Sequence, residues 1–332
     1  MVNRSHLWTH FKELHLSINE RVMKNAIGFP ESYQLECKRF ADKLLTLGDG
    51  TFSTYANTKN MVNISQIIHT TTTEETSLKE FVLWCYPEFQ GIQDTIPLHD
   101  KAILCVFNED VAEVNKIAID LVNVGEEEQR ICFSADELDQ NCKDEFKNTP
   151  IEYLHTLEIS GFPSHELNLK IGCPVILLRN YNPRIGLCNG TKLIVHRFIE
   201  KSGIEFEIVS EGKHKGTIVP LCRIEFTTSE TDFPFIMIRR QFPVRLAFAI
   251  SINKAQGQSL KRVGIYLKRP VFAHGQAYVA ASRAGIPSET RILLEQQEGG
   301  QGRVNDANDS NNKPIYITSN IVYKEVFSTR KT

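Results

Sequence analysis

Ser251-Ile-Asn-Lys-Ala-Gln-Gly-Gln-Ser259 is the polar centre of a longer stretch, Arg245 to Arg283, with seven Lys or Arg and no Asp or Glu. Phe248-Ala249-Ile250 before it and Val263-Gly264-Ile265-Tyr266-Leu267 after it are short apolar runs that predict buried strands. A basic, glycine-containing loop at the end of a buried strand is where α/β proteins hold anionic ligands. Downstream lies Gln276-Ala-Tyr-Val-Ala-Ala-Ser-Arg283, a small-residue helix ending in Ser-Arg. Either block alone is weak. The two in this order, 20 to 30 residues apart, form a specific pattern.

Working outward, residues 33–47 have helical spacing through Leu35, Phe40, Leu44 and Leu45, with Gly48 as a stop. Residues 5–15 have it through Leu7, Trp8, Phe11 and Leu14, with Trp8 as a core residue. Thr70 to Thr73 reads as a polar turn, Leu78 to Tyr86 as a helix, and Ile103 to Phe107 as a buried strand. The strand leads through Asn108 into a helix over 111–122, a βα unit that implies a parallel sheet. Residues 123–150 are acidic and turn-rich and read as a surface excursion. From Leu167 the apolar period becomes two, in short strands separated by Asn189-Gly190, Ser202-Gly203 and similar turns, which predicts a small all-β barrel. Residues 297–314 are rich in Gly, Asn and Asp and read as disordered.

The composition is that of a globular protein, 41% hydrophobic and 23% charged, with a net charge of −2. The charge is uneven. Residues 164–283 hold 18 Lys or Arg against 8 Asp or Glu, while 124–148 hold 8 acidic against 3 basic residues. A protein that meets a phosphate backbone on one face can be neutral overall. No apolar run reaches the roughly 18 residues of a membrane span, and the N-terminal residues carry no signal-peptide pattern. Eight cysteines include no Cys-x-x-Cys, which argues against a metal site, and without an export signal reduced thiols are the expectation. Nowhere in the chain is there a Gly-x-x-x-x-Gly-Lys-Ser/Thr phosphate loop, nor an Asp-Glu pair after an early apolar strand to hold magnesium.

Ile252-Asn253-Lys254-Ala255-Gln256-Gly257-Gln258 followed by Tyr278-Val279-Ala280-Ala281-Ser282-Arg283 resembles motifs five and six of superfamily-one helicases. The likeness is greatest to the Pif-type (petite integration frequency) helicases, in the version carried by Helitron transposons. Leu7-Trp8…Phe11…Leu14…Asn19…Arg21 resembles the fourth motif. Ile103 to Val111 with Val114-Asn115 resembles the strand–Asn–helix block of the second motor domain. Ser160-Gly161-Phe162-Pro163 through Thr191 resembles the start of the inserted barrel. The resemblance implies an α/β fold: a RecA-like second motor domain, its parallel sheet flanked by helices, over 16–163 and 244–296. A small all-β Src-homology-like barrel would be inserted at 164–243. Residues 1–15 would close a first motor domain, and 297–332 would be a mostly disordered tail.

The same resemblance implies an ATP-dependent 5′-to-3′ DNA helicase that binds single-stranded DNA, working in the nucleus (or, alternatively, the cytoplasm). ATP and Mg²⁺ would be held mainly by a first motor domain supplied from upstream or by another chain, and this chain alone would bind neither. Arg283 and Arg21 would be catalytic, facing the γ-phosphate; Arg283 at a helix C-terminus would equally serve as a cap, and Arg21 as an ordinary salt bridge. Gln256 and Gly257 would lie at the nucleotide. Lys254, Gln258, Asn108, Phe162, Arg179 and Arg240 would meet DNA, although Asn108 also suits a helix N-cap and Phe162 a core. Arg184, Lys192 and Arg239 would add to a basic barrel. Ala255 stands where the family usually has Ser, and Phe107 where it commonly has Thr. Two other readings stay open: a single-strand-binding module without ATPase activity, and a transposon remnant without function.

Overall fold

The computed structural model describes His10, Phe146 and residues 30–56, 58–139, 148–199, 203–229, 235–283, 285–304 and 314–323. Arg21, Trp8 and the rest of the motif-four likeness, and Cys142, lie outside the described residues.

The elements run α1 Glu31–Gly48, β1 Met61–Asn63, β2 His69–Thr72, α2 Leu78–Cys85, β3 Lys101–Cys105 and α3 Asn108–Leu121. Then come β4 Gln129–Phe133, β5 Ala135–Leu138, α4 Ile151–Thr156, β6 Glu166–Lys170, β7 Pro174–Leu177, β8 Lys192–Ile199 and β9 Gly203–Ile208. Next are β10 Ile218–Leu221, β11 Ile224–Thr227, β12 Met237–Gln241, β13 Val244–Leu246, β14 Ala249–Ser251 and α5 Ile252–Ala255. Last come β15 Arg262–Leu267, α6 Gln276–Ala281, β16 Thr290–Leu294, β17 Gly302–Val304 and β18 Ile315–Ser319.

Two compact units divide the chain. The first comprises residues 1–96, 100–114 and 250–332; the second comprises 97–99 and 115–249. The first is built on a five-stranded sheet in the order β14-β3-β15-β16-β2. β3, β15, β16 and β2 are parallel. Every residue of β3 is buried, as are five of the six in β15, which is why both read as continuous apolar runs. α2 lies on this sheet. A Cβ at Gly264 would stand 2.9 Å from the Phe81 ring and 3.1 Å from Ile103, so the bare strand centre lets the helix sit close. α2 begins at a capping box in which Ser77 and Glu80 exchange hydrogen bonds.

The expected turn at 70–73 is instead part of β2, paired in parallel with β16. Thr70 and Thr72 face the core and their β-branched side chains suit the pleat. The expected disordered tail also differs. β17 and β18 form an antiparallel three-stranded sheet with β1, in the order β1-β18-β17. The polar residues before Ile315-Tyr-Ile-Thr-Ser hide this short strand, whose three central residues are buried.

Among its described residues the second unit is β-stranded apart from α3's second half, α4 and short 3-10 turns. Its described pairings form an antiparallel sheet β10-β9-β8-β7-β13, a second sheet β11-β12-β5, and the ladder β4-β6. They do not close into one small barrel among the described residues. The unit also starts earlier than residue 164. β4 and β5, inside the stretch read as a surface excursion, pair with β6 and β12. Asp136 on β5 is buried against Arg239 on β12, both with inaccessible side chains. Arg239 donates to both carboxylate oxygens at 2.8 to 3.2 Å and to the carbonyls of Leu154, Leu157 and Pro163. Arg239 is therefore an internal tie and not part of a basic face.

No described helix is long and apolar enough to cross a membrane. None of the described cysteines is in a disulfide, and five are buried.

At the entry to β3 the ammonium of Lys101 is fully buried between the carboxylates of Glu88 and Asp94. Arg262 also grips Asp94. Burial works against the Asp94 charge, but Lys101, the Ile96 amide and Arg262 overcome it and hold the carboxyl down from 3.8 to about 2. Because the folded value lies below the unfolded one, this stabilisation is present above about pH 4 and fades as pH falls toward 2. It is worth up to about 2 kcal/mol. Urea midpoints measured across this window are expected to fall less steeply with acid in Asp94→Asn than in wild type. Parallel pH profiles would contradict the assignment.

Candidate nucleotide and nucleic-acid interface

The basic stretch folds as a strand followed by one helical turn. β14 ends at Ser251, and α5 is anchored by the buried Ile252 and Ala255. This leaves Asn253, Lys254, Gln256 and Gly257 exposed. Gly257 sits at φ +83° with nothing within 4 Å of where a Cβ would be, so its backbone conformation calls for glycine. Gln258 closes the loop, its Nε2 donating to the Lys254 carbonyl at 3.0 Å and its amide to Ala255 at 3.0 Å.

Arg283 lies just past α6. The residue is only 8% exposed, with its guanidinium turned inward. Nε donates to the Val279 carbonyl at 2.8 Å, one turn back on α6. Nη1 reaches the carbonyls of Ala255 at 3.4 Å and Gln258 at 3.2 Å, and Nη2 the Ser282 hydroxyl at 2.9 Å. The Leu260 amide returns a bond to the Arg283 carbonyl. Of the two readings open for this side chain, the capping contact is the one seen. Carbonyls at two short helix ends, with lone pairs to spare, form a natural acceptor cluster for a guanidinium. Hydrogen bonds thus join Arg283 to Ala255 and Gln258, and Gln258 to Lys254, with Gln256 and Gly257 in the intervening turn. The small Ala280 and Ala281 are buried where α6 meets α5.

Asn108 is exposed at the first residue of α3, directly after β3, the sheet neighbour of β14. The remaining expected DNA contacts belong to the second unit. Phe162 is 5% exposed within a core of Leu154, Leu178, Phe226 and Met237, its ring 5.4 Å from that of Phe226. It is a core residue and presents no face to a base. Arg179 is exposed, its guanidinium 5.3 Å from the Phe226 ring centre. Arg240 is exposed on β12, on the side away from the buried Arg239. Lys192 donates to the His99 carbonyl.

Sequence reading missed Asp136, His155 and His165, whose ligand atoms lie within 4.8 Å of one another. The two imidazoles stack at 3.7 Å, and burial followed by the neighbouring His155 pushes the His165 pKa down. Both Asp136 oxygens already accept from Arg239, and Oδ1 also accepts from Ser134. A carboxylate so committed, beside a guanidinium, is a poor cation ligand.

A family profile described as the 2B domain of DNA helicase Pif1 matches residues 152–198. The ATP-dependent DNA helicase Pif1 of Campylobacter jejuni is 30% identical over 214 residues, 62% of this chain and 44% of that protein. The ATP-dependent DNA helicase PIF1 of Mus musculus is 39% identical over 149 residues, 43% of this chain and 21% of that one. Among solved structures, the Pif1 helicase from Candida albicans has a similar fold, with a TM-score of 0.50 at 22% identity, covering 77% of this chain and 53% of that one. The chain spans less than half the length of these two curated relatives. The matched domain and the aligned segments are similar to those of Pif1 helicases, and the fold is similar to that of a solved Pif1 helicase.

Proposed function

We propose that this chain is the C-terminal motor portion of an ATP-dependent, 5′-to-3′ DNA helicase, which binds single-stranded DNA and couples that binding to ATP hydrolysis. One observation carries the reading. The guanidinium of Arg283 bonds the carbonyls of Ala255 and Gln258. The loop that would sense the strand and the residue that would meet the γ-phosphate therefore share one network. The chain's own residues fit contacts to the outer phosphates and no more. A permanently charged fork and a glycine-shaped loop are present, but no phosphate-cradling lysine loop occurs in these 332 residues. ATP and its Mg²⁺ would rest chiefly on a first motor domain, and the chain alone would not turn ATP over. The Helitron lineage, a nuclear setting and roles in DNA repair, recombination or telomere maintenance belong to the same proposal.

The test is strand binding by the 332-residue chain, followed by fluorescence anisotropy on a short oligonucleotide between about 50 and 200 mM salt. Binding is expected to weaken steeply with salt as phosphate contacts release counterions. Lys254→Ala should reduce the log–log slope by about one. No binding at low salt, or binding indifferent to salt, would contradict the proposal.

A further inference from the structure

The ends of two neighbouring parallel strands bring a pair of aromatic rings together in the first unit. β3 runs out through Val106 to Phe107, and β15 through Arg269 to Phe272. The two rings stack with centres 5.3 Å apart and planes 29° from parallel. Phe107 is half-buried, whereas Phe272 is 55% exposed.

Three features separate this pair from a stray surface phenylalanine. First, it is held in place. Gln276, 3% exposed at the start of α6, accepts from the amides of both Phe272 and Ala273 through Oε1, and Val271 is buried beside them. Second, it is backed by a cation, since the Arg269 guanidinium lies 3.7 Å from the centre of the Phe107 ring. That guanidinium is itself neutralised by Glu109 at 3.0 Å and Asp110 at 3.4 Å. The patch therefore offers a flat, charge-compensated π surface rather than a phosphate site. Third, it sits beyond the carboxyl ends of β3 and β15, the edge at which open α/β sheets bind ligands. The exposed Asn108 follows Phe107 directly.

We propose that Phe272, stacked on Phe107, is a platform for an unpaired nucleobase of the bound single strand. The proposal rests on the strand-binding reading above and adds a residue to it. A preordered ring pair suits a base because it loses little freedom on binding, and every base offers a π-face whatever its identity. The carboxylates of Glu109 and Asp110 disfavour the alternative that the patch grips phosphates. Gln276 ties the platform to the helix whose far end bears Arg283, so an occupied platform and the Arg283 network would share one rigid element.

The test uses the full chain, a short oligothymidylate and the same oligonucleotide with its bases removed. Phe272→Ala is expected to weaken binding of the base-bearing strand by about fivefold to a hundredfold at each salt concentration. The salt slope should stay as in wild type, because no ionic contact is lost. Phe272→Trp should bind at least as well as wild type. On the abasic strand, wild type and Phe272→Ala should bind alike. Phe272→Leu keeps an apolar side chain without a π-face, so it should behave as Ala does and settles the matter should the smaller variant fold poorly. Equal affinity of wild type and Phe272→Leu for the base-bearing strand would overturn the platform while leaving strand binding intact. A wild-type chain that binds no strand at all would instead overturn the reading on which the platform rests.

Discussion

Joined to a Pif-type first motor domain ahead of Met1, the wild-type chain is expected to hydrolyse ATP, and its Arg283→Ala variant to turn over at least about a thousandfold more slowly. Transfer of a phosphoryl group is catalysed mainly by positive charge placed on its equatorial oxygens, and an arginine finger supplies it in permanent form. In the described state the guanidinium faces the carbonyls of Val279, Ala255 and Gln258. A catalytic role requires it to exchange some of these acceptors for phosphate oxygens when nucleotide is bound. The same geometry shapes the expected kinetics. Arg283→Ala should depress turnover at saturating ATP and DNA, with a smaller loosening of strand binding through the 255–258 loop. Arg283→Lys retains the charge, but an ammonium lacks the planar fork, and it should fall well below wild type. A joined protein that folds and hydrolyses ATP equally well with and without Arg283 would restrict this side chain to the capping contact. Arg21 would then be the next residue to replace.

Asp136→Ala is expected to destabilise the second unit by about 3–5 kcal/mol. The substitution strands the Arg239 guanidinium, which has no solvent access, without its carboxylate. Arg239→Met removes the charge but leaves the carbonyls of Leu154, Leu157 and Pro163 without their donor, along with an unpaired Asp136. The double variant Asp136→Ala with Arg239→Met should be less damaging than the sum of its parts, because neither charge is then left alone. Urea unfolding followed by circular dichroism measures these differences. A loss below about 1 kcal/mol for Asp136→Ala, the level of an exposed pair, would show that the tie is not structural.

Strands made of continuous apolar residues are legible in the sequence, as Ala102 to Cys105 and Val263 to Leu267 illustrate. The pairing of the Lys254–Gln258 loop with Arg283 is implied only by the likeness of the two blocks to helicase motifs, since β14 before the loop and β15 before α6 are separated in the sheet by β3. What is not legible has identifiable reasons. At β2 the hydroxyls of Thr70 and Thr72 suggest a turn, while their β-branching fits the strand they form. The acidity of 124–148 hides Asp136, whose partner Arg239 lies 103 residues away and cannot be inferred from local pattern. Arg239 reads as surface charge for the same reason. Phe162 looks available because a glycine and a proline flank it, yet its ring closes a core assembled from distant strands. The platform residue Phe272 carries no periodic signal, since its significance comes from Phe107, which follows another strand.

The most direct test of the central claim, that this chain is the strand-sensing half of a motor, is the ATPase rate of the joined protein with and without oligothymidylate. The oligonucleotide is expected to raise the rate in wild type and to raise it little in Lys254→Ala, with no turnover from the 332-residue chain alone. Equal rates in the presence and absence of DNA, in a joined protein that binds the strand, would contradict that claim.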